Sequence, residues 1–523
     1  MTRKTALDGL AALAAVILLH AILVMPSHPA GLTPERLIRP TWELPALLVL
    51  LAVVPGRGMR AGVVGLALAL VVLRAADLGS WLAFDRAFNP LLDLHLLVSG
   101  WALLSSSVGR FEALAAVAAV VLALVLLGWL LWAALTRTAR LLPARRAGLA
   151  LPPLAAALAA VLIPGWAELA VTPAVAKQIG RMGDGVTDLA TFTAALDAAP
   201  RDNPRFAALE GRDVILAFVE SYGRSFLDDP AYASVSAPRL AAVEARLAQA
   251  GWHARSGWLA APTRGGQSWL SHATLLSGLR VDRQIRYDRL MASSHASLNT
   301  LFHRAGWRTG AAMPAITLDW PEAAWYGYDR MLDAHTLGYA GQPFDWVTMP
   351  DQYTWTALDR MLRGPGPDMV EVALITSHAP WTPLPRILPW EEIGDGSVFD
   401  GTHRDGATPR EVWSDRARVR EHYARALDYA LEVTGQYIAR DGDGALFVVL
   451  GDHQPAPLLT GQGAPPDVPV HVISDDPRLL ARLPGDLFGP GLVPDPARPT
   501  LPMQDLRGLL TTVFEHPPEE EPA

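Results

Sequence analysis

The chain contains no cysteine. Disulfides, thiolate zinc sites, iron–sulfur clusters and a cysteine nucleophile are therefore excluded. The 43 glycines and 43 prolines among 523 residues are too few for a collagen-like or disordered chain. The sequence must therefore fold without covalent cross-links, and any catalytic nucleophile or metal ligand has to come from other side chains.

Charge is scarce in the first third of the chain. Residues 1–168 hold 13 Lys/Arg and 8 Asp/Glu, a net charge of +5, whereas residues 169–523 hold 31 and 44, a net charge of −13. Binding to nucleic acid requires a basic face, so the acidic second part argues against a nucleic-acid partner. The uneven distribution predicts a membrane domain at 1–168, followed by a water-soluble part.

Five apolar runs in the first third predict membrane spans, which makes the lipid bilayer an expected partner. They lie at about 6–25, 42–56, 61–80, 113–135 and 147–168. The run at 113–135 has no charged residue and is long enough to cross about 30 Å of hydrocarbon. No small-residue cleavage site closes the first run, so we interpret it as an uncleaved anchor. Within the third run, Arg74 and Asp77 predict an ion pair near a helix end, with a lipid head-group contact as the alternative.

The basic residues predict the orientation of these spans. Lys and Arg cluster at the N-terminus, at 57–60 and at 137–146, which is typical of cytoplasmic segments. With five spans, residues 169–523 then lie on the periplasmic or extracellular side of the cytoplasmic membrane. The segment 87–108 is apolar but contains Asn89, Asp93 and His95, so we expect it to lie at the outer interface. As a sixth span, it would move the soluble part into the cytoplasm.

The soluble part has the pattern of an α/β domain. We expect a stalk at 169–209, a catalytic domain at 210–516 and an acidic tail at 517–523. Strand-like apolar runs occur at 213–219, 369–376, 445–450 and 468–473, and helical periodicity occurs at 238–250, 296–306, 351–363, 413–440 and 503–514. This alternation predicts a mostly parallel central sheet.

Polar side chains follow three of the predicted strands. Glu220 follows the first strand, His378 the second, and the pair Asp452-His453 the third. The carboxyl ends of parallel strands meet at one edge of a sheet, so we expect these side chains to lie close together. Carboxylate oxygens and imidazole nitrogens are ligands of zinc and manganese. The pattern predicts a divalent-metal site.

A candidate nucleophile lies in the glycine-rich segment 263–272, TRGGQSWLSH, which opens a predicted helix. The unpaired N–H groups of a helix N-terminus favour a developing alkoxide, and a metal would lower the pKa of a serine hydroxyl further. Ser268 follows Gly265-Gly266-Gln267 directly, where a phosphate could approach the backbone, so we predict Ser268 as the nucleophile. Ser271 is expected to satisfy a backbone group. A simple N-cap role is the alternative for either serine.

Four motifs together resemble the alkaline phosphatase/sulfatase superfamily: VESYG at Glu220, GGQSW at Ser268, SHAPW at His378 and GDHQP at Asp452-His453. The branch they resemble most is that of the lipoteichoic acid synthases and periplasmic phosphoglycerol transferases. The resemblance implies five membrane spans followed by an extracytoplasmic sulfatase-like domain. It also implies one divalent metal ion (Mn, Zn or Mg) held by Glu220, Ser268, Asp452 and His453, and a substrate contact at His378.

The sequence departs from the family pattern in several places. Lipoteichoic acid synthases use Thr where this chain has Ser268. Trp320 corresponds to a family tryptophan that contacts substrate, but Glu322 stands about where an arginine is expected, which indicates a different head group. Ser268 is not part of the C/S-x-P-x-R motif that true sulfatases need, so sulfate-ester hydrolysis is not expected.

Three further histidines need an interpretation. His272 and His403 are candidate ligands for a second metal ion. His471 lies within a predicted strand, and we expect it to be structural.

The expected function is that of a membrane-anchored phosphotransferase. It would move phosphoglycerol or phosphoethanolamine from a phospholipid donor to a glycan, lipid or water acceptor through a covalent Ser268 intermediate. The alternative is a hydrolase of the same superfamily, either a phosphodiesterase or a sulfuric ester hydrolase. A non-catalytic lipid-binding protein is a third reading, but it would have no need for the complete set of Glu, Ser, Asp and His.

Overall fold

The computed structural model describes residues 3–54, 56–90, 92–94, 96–97, 100–101, 104–105, 109–162, 168–199, 203–209 and 211–517. Its contacts divide the chain into two compact units, with the main division between Thr187 and Asp188. The units are described separately below.

The first unit is helical. Its helices are Arg3–Val24, Pro34–Ile38, Glu43–Val53, Arg57–Phe84, Arg110–Leu162 and Thr172–Ala198, the last of which continues into the second unit. Three stretches among the described residues are long and apolar enough to cross a membrane: Leu7–Val24, Arg57–Phe84 and Arg110–Ala139. They confirm the predicted membrane domain at the N-terminal side.

Two of the five predicted spans differ from the observed helices. The run at 42–56 forms the helix Glu43–Val53, whose 11 residues extend over about 16 Å and are too few to cross a bilayer. The helix Arg110–Leu162 is continuous. The sequence instead suggests a loop between the spans 113–135 and 147–168. The arginines of that region are good helix formers, so they interrupt the hydropathy without interrupting the helix. Residues 163–167 lie outside the described residues, and the count of five spans stays a prediction.

The ion pair predicted between Arg74 and Asp77 is replaced by other contacts. Arg74 donates hydrogen bonds to the carbonyl oxygens of Leu23 (2.8 Å) and Ala170 (3.0 Å). Asp77 pairs with Arg181 at 3.5 Å. Arg74 therefore satisfies the free carbonyl at the end of the first helix, a requirement that hydropathy does not reveal.

Much of the segment 87–108, including His95, lies outside the described residues. Its expected place at the outer interface stays a prediction.

The second unit contains one mixed sheet, with nine strands among the residues that the structure describes. The strands are β1 (Val214–Val219), β2 (His253–Ala260), β3 (Arg308–Met313), β4 (Arg330–Asp333), β5 (Asp368–Leu374), β6 (Leu446–Gly451), β7 (Asp467–Ser474), β8 (Gly489–Pro490) and β9 (Thr500–Pro502). The order is β4-β3-β5-β1-β6-β7-β2-β8, and β9 pairs with β2. The first five strands of this order are parallel, whereas β7 is antiparallel to both β6 and β2. The predicted α/β domain with a mostly parallel sheet is confirmed.

The helices of this unit cover both faces of the sheet. They are Ser225–Asp228, Ala233–Gln249, Ser268–Ser277, Gln284–Met291, Leu298–Arg304, Ala323–Tyr326, Asp351–Leu362, Pro409–Trp413, Arg416–Asp441, Pro457–Thr460, Pro477–Ala481 and Asp505–Val513. Alternate residues of β1 enter two cores: Ile215 and Val219 pack with Arg416–Asp441, whereas Leu216 and Phe218 pack with Ser268–Ser277. The strict alternation shows that β1 is buried on both faces.

The second unit begins earlier than the sequence suggests. Phe192 and Leu196 are buried in the same core as Phe206, so residues from Asp188 onward belong to this unit and not to a stalk that ends at 209. The apolar positions of a helix that packs at a domain edge are hard to distinguish in sequence from those of an amphipathic stalk. Of the acidic tail, residues 518–523 lie outside the described residues.

Candidate metal centre and nucleophile

Glu220 lies directly after β1, where the chain turns sharply. The turn places Ser221 in a left-handed conformation (φ 57°), which is uncommon for a residue other than glycine. The Ser377 hydroxyl donates to the Glu220 carbonyl oxygen (2.6 Å), and the Ser221 hydroxyl donates to Glu220 Oε1 (2.7 Å). Backbone and side chain of Glu220 are thus both held, and Oε2 remains for another partner.

Asp452 and His453 follow β6, the strand next to β1. Asp452 Oδ1 accepts hydrogen bonds from the backbone N–H groups of Ser221 and His453, both at 2.7 Å. Its other oxygen, Oδ2, lies 3.5 Å from His453 Nε2. Gly451 allows this turn, since a side chain there would meet the Tyr222 carbonyl oxygen at 1.9 Å.

His453 is oriented so that Nε2 faces the other polar side chains of the cluster. Nδ1 lies 2.9 Å from the Gln454 carbonyl oxygen and donates to it, because a carbonyl can only accept. The lone pair of the neutral ring is then on Nε2, which lies 3.5 Å from Glu220 Oε1. This arrangement of a histidine, with a backbone acceptor on the far nitrogen, is typical of metal ligands.

Together, the three side chains fit a divalent cation. Ligand atoms of Glu220, Asp452 and His453 lie within 4.8 Å of one another, and all three residues are buried. Two buried carboxylates beside a single imidazole leave a negative charge that burial makes costly. A divalent cation would neutralise it, and the donor set suits zinc, manganese or magnesium.

The pKa values of the three groups reflect this concentration of charge. Burial, together with the neighbouring Glu220 carboxylate, raises the pKa of Asp452 to about 6. Burial also acts to raise the pKa of Glu220, but His453 and His378 outweigh it and the pKa is lowered. Burial acts to lower the pKa of His453, but the two carboxylates outweigh it and the pKa is raised. The raised pKa of Asp452 shows that its ionised form is unfavourable beside Glu220 when no cation is bound.

Ser268 is the first residue of the helix Ser268–Ser277. The preceding residues Gly265, Gly266 and Gln267 all have positive φ angles (72°, 139° and 67°). The Ser268 hydroxyl donates to Glu220 Oε2 at 3.1 Å and lies 3.3 Å from His453 Nε2. The structure thus brings the predicted nucleophile into contact with the candidate metal ligands.

Ser271 differs from its expectation. Its hydroxyl is buried and has no hydrogen-bond partner among the described residues, whereas we expected it to satisfy a backbone group. Ser271 lies one helical turn beyond Ser268 and is fully buried.

His378 lies close to the cluster, whereas Trp320 lies in a different environment. The His378 ring stacks on Trp346 at 3.7 Å between centroids, and its Nδ1 lies 2.6 Å from the Ala379 carbonyl oxygen. No sequence motif marks Trp346. Trp320 packs against Tyr326 and Tyr328, at 4.9 and 6.5 Å, in the connection between β3 and β4.

The three remaining histidines have different surroundings. His272 Nδ1 lies 2.6 Å from Glu371 Oε1, and His403 Nδ1 lies 2.5 Å from the Asp400 carbonyl oxygen. Neither belongs to a group of three potential ligands within the described part of the chain. His471 has both ring nitrogens hydrogen-bonded, and burial lowers its pKa to about 3. A structural role for His471 agrees with these contacts.

Several solved structures resemble this chain at low identity. The lipoteichoic acid synthase LtaP from Listeria monocytogenes aligns over 54% of this chain and 70% of its own, with 12% identity and a TM-score of 0.36. The C-terminal periplasmic domain of EcEptC from Escherichia coli aligns over 56% and 87%, with 15% identity and a TM-score of 0.34. A protein in the alkaline phosphatase superfamily from Vibrio parahaemolyticus aligns over 62% and 74%, with 13% identity and a TM-score of 0.35. No family model and no curated protein matches the chain.

Proposed function

We propose that this protein is a metal-dependent phosphotransferase of the cytoplasmic membrane that transfers a phospho-alcohol head group through a covalent intermediate on Ser268. The observation that carries the proposal is the contact of the Ser268 hydroxyl with Glu220 (3.1 Å) and His453 (3.3 Å), two members of the candidate metal cluster. A serine at a helix N-terminus and beside metal ligands has the surroundings of an activated nucleophile.

Glu220, Ser268, Asp452 and His453 would hold the cation, which when bound would polarise the phosphoryl oxygen and lower the pKa of the serine hydroxyl. Glu220 Oε2 accepts a hydrogen bond from the Ser268 hydroxyl, which leaves the lone pairs of Ser268 Oγ directed away from Glu220. The N–H groups at the start of the helix would bind a phosphoryl oxygen. His378 would contact the substrate from the loop after β5.

The reaction then proceeds in two displacements. In the first, Ser268 Oγ loses its proton as its bond to phosphorus forms, the bond from phosphorus to the diacylglycerol oxygen breaks, and that oxygen takes up a proton. In the second, an acceptor hydroxyl loses its proton and attacks phosphorus, the bond from phosphorus to Ser268 Oγ breaks, and Oγ takes up a proton again. The acceptor would be a glycan, a lipid or water, and water would make the protein a phosphodiesterase.

A phospholipid donor is supported by the three apolar helices of the first unit. A diacyl donor does not leave the bilayer, so an anchored enzyme has a direct advantage. The head group would be phosphoglycerol or phosphoethanolamine, and the catalytic domain would lie on the periplasmic or extracellular side.

The full chain in detergent, loaded with Mn²⁺ or Zn²⁺, should transfer label from head-group-labelled phosphatidylglycerol or phosphatidylethanolamine, with and without a glycan acceptor. Ser268→Ala should lower turnover by about 10³-fold or more while retaining metal through the other three ligands. Ser268→Thr should keep part of the activity, because it keeps a hydroxyl at the same place. Intact-mass analysis should show a phospho-adduct on Ser268.

The matched control is Ser271→Ala, on the same helix. It removes a buried hydroxyl without a partner, so we expect wild-type turnover. An adduct on Ser271, or full activity in Ser268→Ala, would contradict the proposal. Label released only as a free phospho-alcohol, in the presence of every acceptor, would identify a hydrolase instead.

A further inference from the structure

Glu371 carries a carboxylate into the interior of the central sheet. It lies within β5, opposite Leu216 of β1 and Ala311 of β3, and it is fully buried. A carboxyl group in such a place is unfavourable unless hydrogen bonds compensate for its burial. A residue that only filled the core would be apolar, so the partners of Glu371 indicate what it does.

Both carboxylate oxygens are hydrogen-bonded, and the partners come from two different segments. His272 Nδ1 lies 2.6 Å from Oε1, and the Tyr328 hydroxyl donates to Oε2 at 2.6 Å. The contact joins an imidazole nitrogen to a carboxylate oxygen and connects the helix Ser268–Ser277 to β5. Burial and the charge of Glu371 raise the pKa of Tyr328, so its hydroxyl keeps its proton and remains a donor.

His272 belongs to the same helix as the proposed nucleophile. It follows Ser268 by four residues, which places both side chains on one helical face. Its ring also stacks on Phe218 at 3.7 Å, and Phe218 precedes Glu220 by two residues on the same face of the chain. His272 is thus held between the strand that ends at Glu220 and the strand that contains Glu371.

The contact of His272 adds a polar anchor to the apolar packing of this helix, whose residues Leu270 and Leu275 lie in the core. The helix begins after Gly265 and Gly266 and ends at Gly278, and all three glycines have positive φ angles. Glycine adopts this conformation without strain, so the chain can turn at both ends of the helix, and side-chain contacts set how the helix is oriented. A displacement of about 1 Å at a reacting atom can lower a rate about 100-fold, so the orientation of this helix matters for catalysis.

We propose that Glu371 is a positioning residue, which through His272 fixes the nucleophile helix so that Ser268 Oγ faces Glu220, and through Tyr328 links that helix to the connection that carries Trp320. The inference rests on the proposed function for its kinetic consequence. It assigns His272 to this network and not to a second metal ion.

The experiment compares Glu371→Leu, Glu371→Gln, His272→Gln and Tyr328→Phe in the full chain. The probe is bis(4-nitrophenyl) phosphate, an activated diester without a specific head group. We expect Glu371→Leu to lower kcat about 100-fold with KM changed less than about threefold, because the nucleophile is misaligned. Glu371→Gln keeps an acceptor for His272 and should lose about tenfold or less. Combining His272→Gln with Glu371→Leu should add little, since both remove the same contact.

A second measurement does not depend on turnover. Since Ser268 is a proposed ligand, Glu371→Leu should weaken Mn²⁺ binding by about the same factor as Ser268→Ala, and the double variant should weaken it no further. A surface control is His303→Gln, whose ring pairs with Asp329 at 3.2 Å and which should change neither kcat nor Mn²⁺ affinity.

The possible outcomes separate the two proposals. If Glu371→Leu lowers the melting temperature but the folded protein keeps wild-type kcat and Mn²⁺ affinity, Glu371 is only structural and the inference is overturned. If the wild type cleaves no phosphodiester while the Mn²⁺ measurements show the expected coupling, the proposed function fails and the positioning role stands. If the wild type binds two Mn²⁺ ions at saturation and His272→Gln binds only one, His272 is a metal ligand and the inference is overturned.

Discussion

Replacing Asp452 by Asn should stabilise the metal-free protein and, at the same time, remove most of its metal affinity. Asp452 Oδ1 accepts two backbone hydrogen bonds, which an Asn oxygen can accept equally well. The charge of Asp452, in contrast, is buried beside the Glu220 carboxylate, and the pKa of Asp452 is raised to about 6. The substitution therefore removes an unfavourable charge without removing the favourable contacts.

The magnitude follows from that pKa. A rise from the ordinary 3.8 to about 6 means that the ionised form costs the folded state about 3 kcal/mol above pH 6. Because the folded pKa is the higher one, this cost is absent below about pH 4 and grows as pH rises to about 6. Asp452→Asn should therefore raise the free energy of unfolding by up to about 3 kcal/mol at pH 7 and change it little at pH 4.

The assay is denaturant unfolding of the full chain in detergent, first with chelator and then with Mn²⁺ or Zn²⁺. At a metal concentration about 1,000 times the dissociation constant, the metal ion should raise the free energy of unfolding of the wild type by about 4 kcal/mol. The same concentration should stabilise Asp452→Asn far less. The matched control is Asp351→Asn. Asp351 is also buried with a pKa raised to about 6 and also accepts two backbone hydrogen bonds, but it is not a candidate ligand.

Two results would refute this reasoning. A metal-free Asp452→Asn protein that is less stable than the wild type would show that the carboxylate is needed for folding and not for a cation. Equal metal stabilisation in Asp452→Asn and the wild type would remove Asp452 from the site, whereas Asp351→Asn should retain the full metal effect.

Two further predictions concern other parts of the chain. Burial lowers the pKa of His471 from 6.5 to about 3, so the free energy of unfolding should fall as pH drops below about 6.5, by about 2 kcal/mol at pH 5. In denaturant unfolding, His471→Gln should make this pH dependence weaker. An unchanged pH dependence in His471→Gln would contradict the prediction. If the catalytic domain lies outside the cytoplasm, alkaline phosphatase fused after Glu168 should be active, and a fluorescent protein that folds only in the cytoplasm should show no fluorescence at the same position. The reverse pattern would show that the predicted orientation is wrong.

Much of the fold follows from local patterns in the sequence. The strands β1, β5, β6 and β7 were expected because each is an apolar run rich in β-branched residues, and buried parallel strands leave that signature. The strand β2, with the sequence HARSGWLA, was missed because His253, Arg255 and Ser256 interrupt the pattern. The antiparallel orientation of β7 was also missed, since strand direction depends on connections and not on composition.

The candidate metal cluster could be predicted from the sequence because the carboxyl ends of parallel strands lie at one edge of the sheet. That rule brings Glu220 and Asp452-His453 together once the strands are placed, and the glycines before Ser268 mark a turn that opens a helix. The sequence by itself therefore predicted the candidate ligands, their order and the candidate nucleophile.

Only the tertiary structure decided what the remaining polar residues do. Nothing in the sequence relates His272, four residues after Ser268, to Glu371 within an apolar strand. In the structure, His272 Nδ1 lies 2.6 Å from Glu371 Oε1. The stacking of His378 on Trp346 and the use of Arg74 for the carbonyl of Leu23 are likewise contacts between distant segments. The physical reason is the same in each case: periodicity and turn signals act over a few neighbouring residues, whereas the partner of a buried polar group is set by how the layers pack.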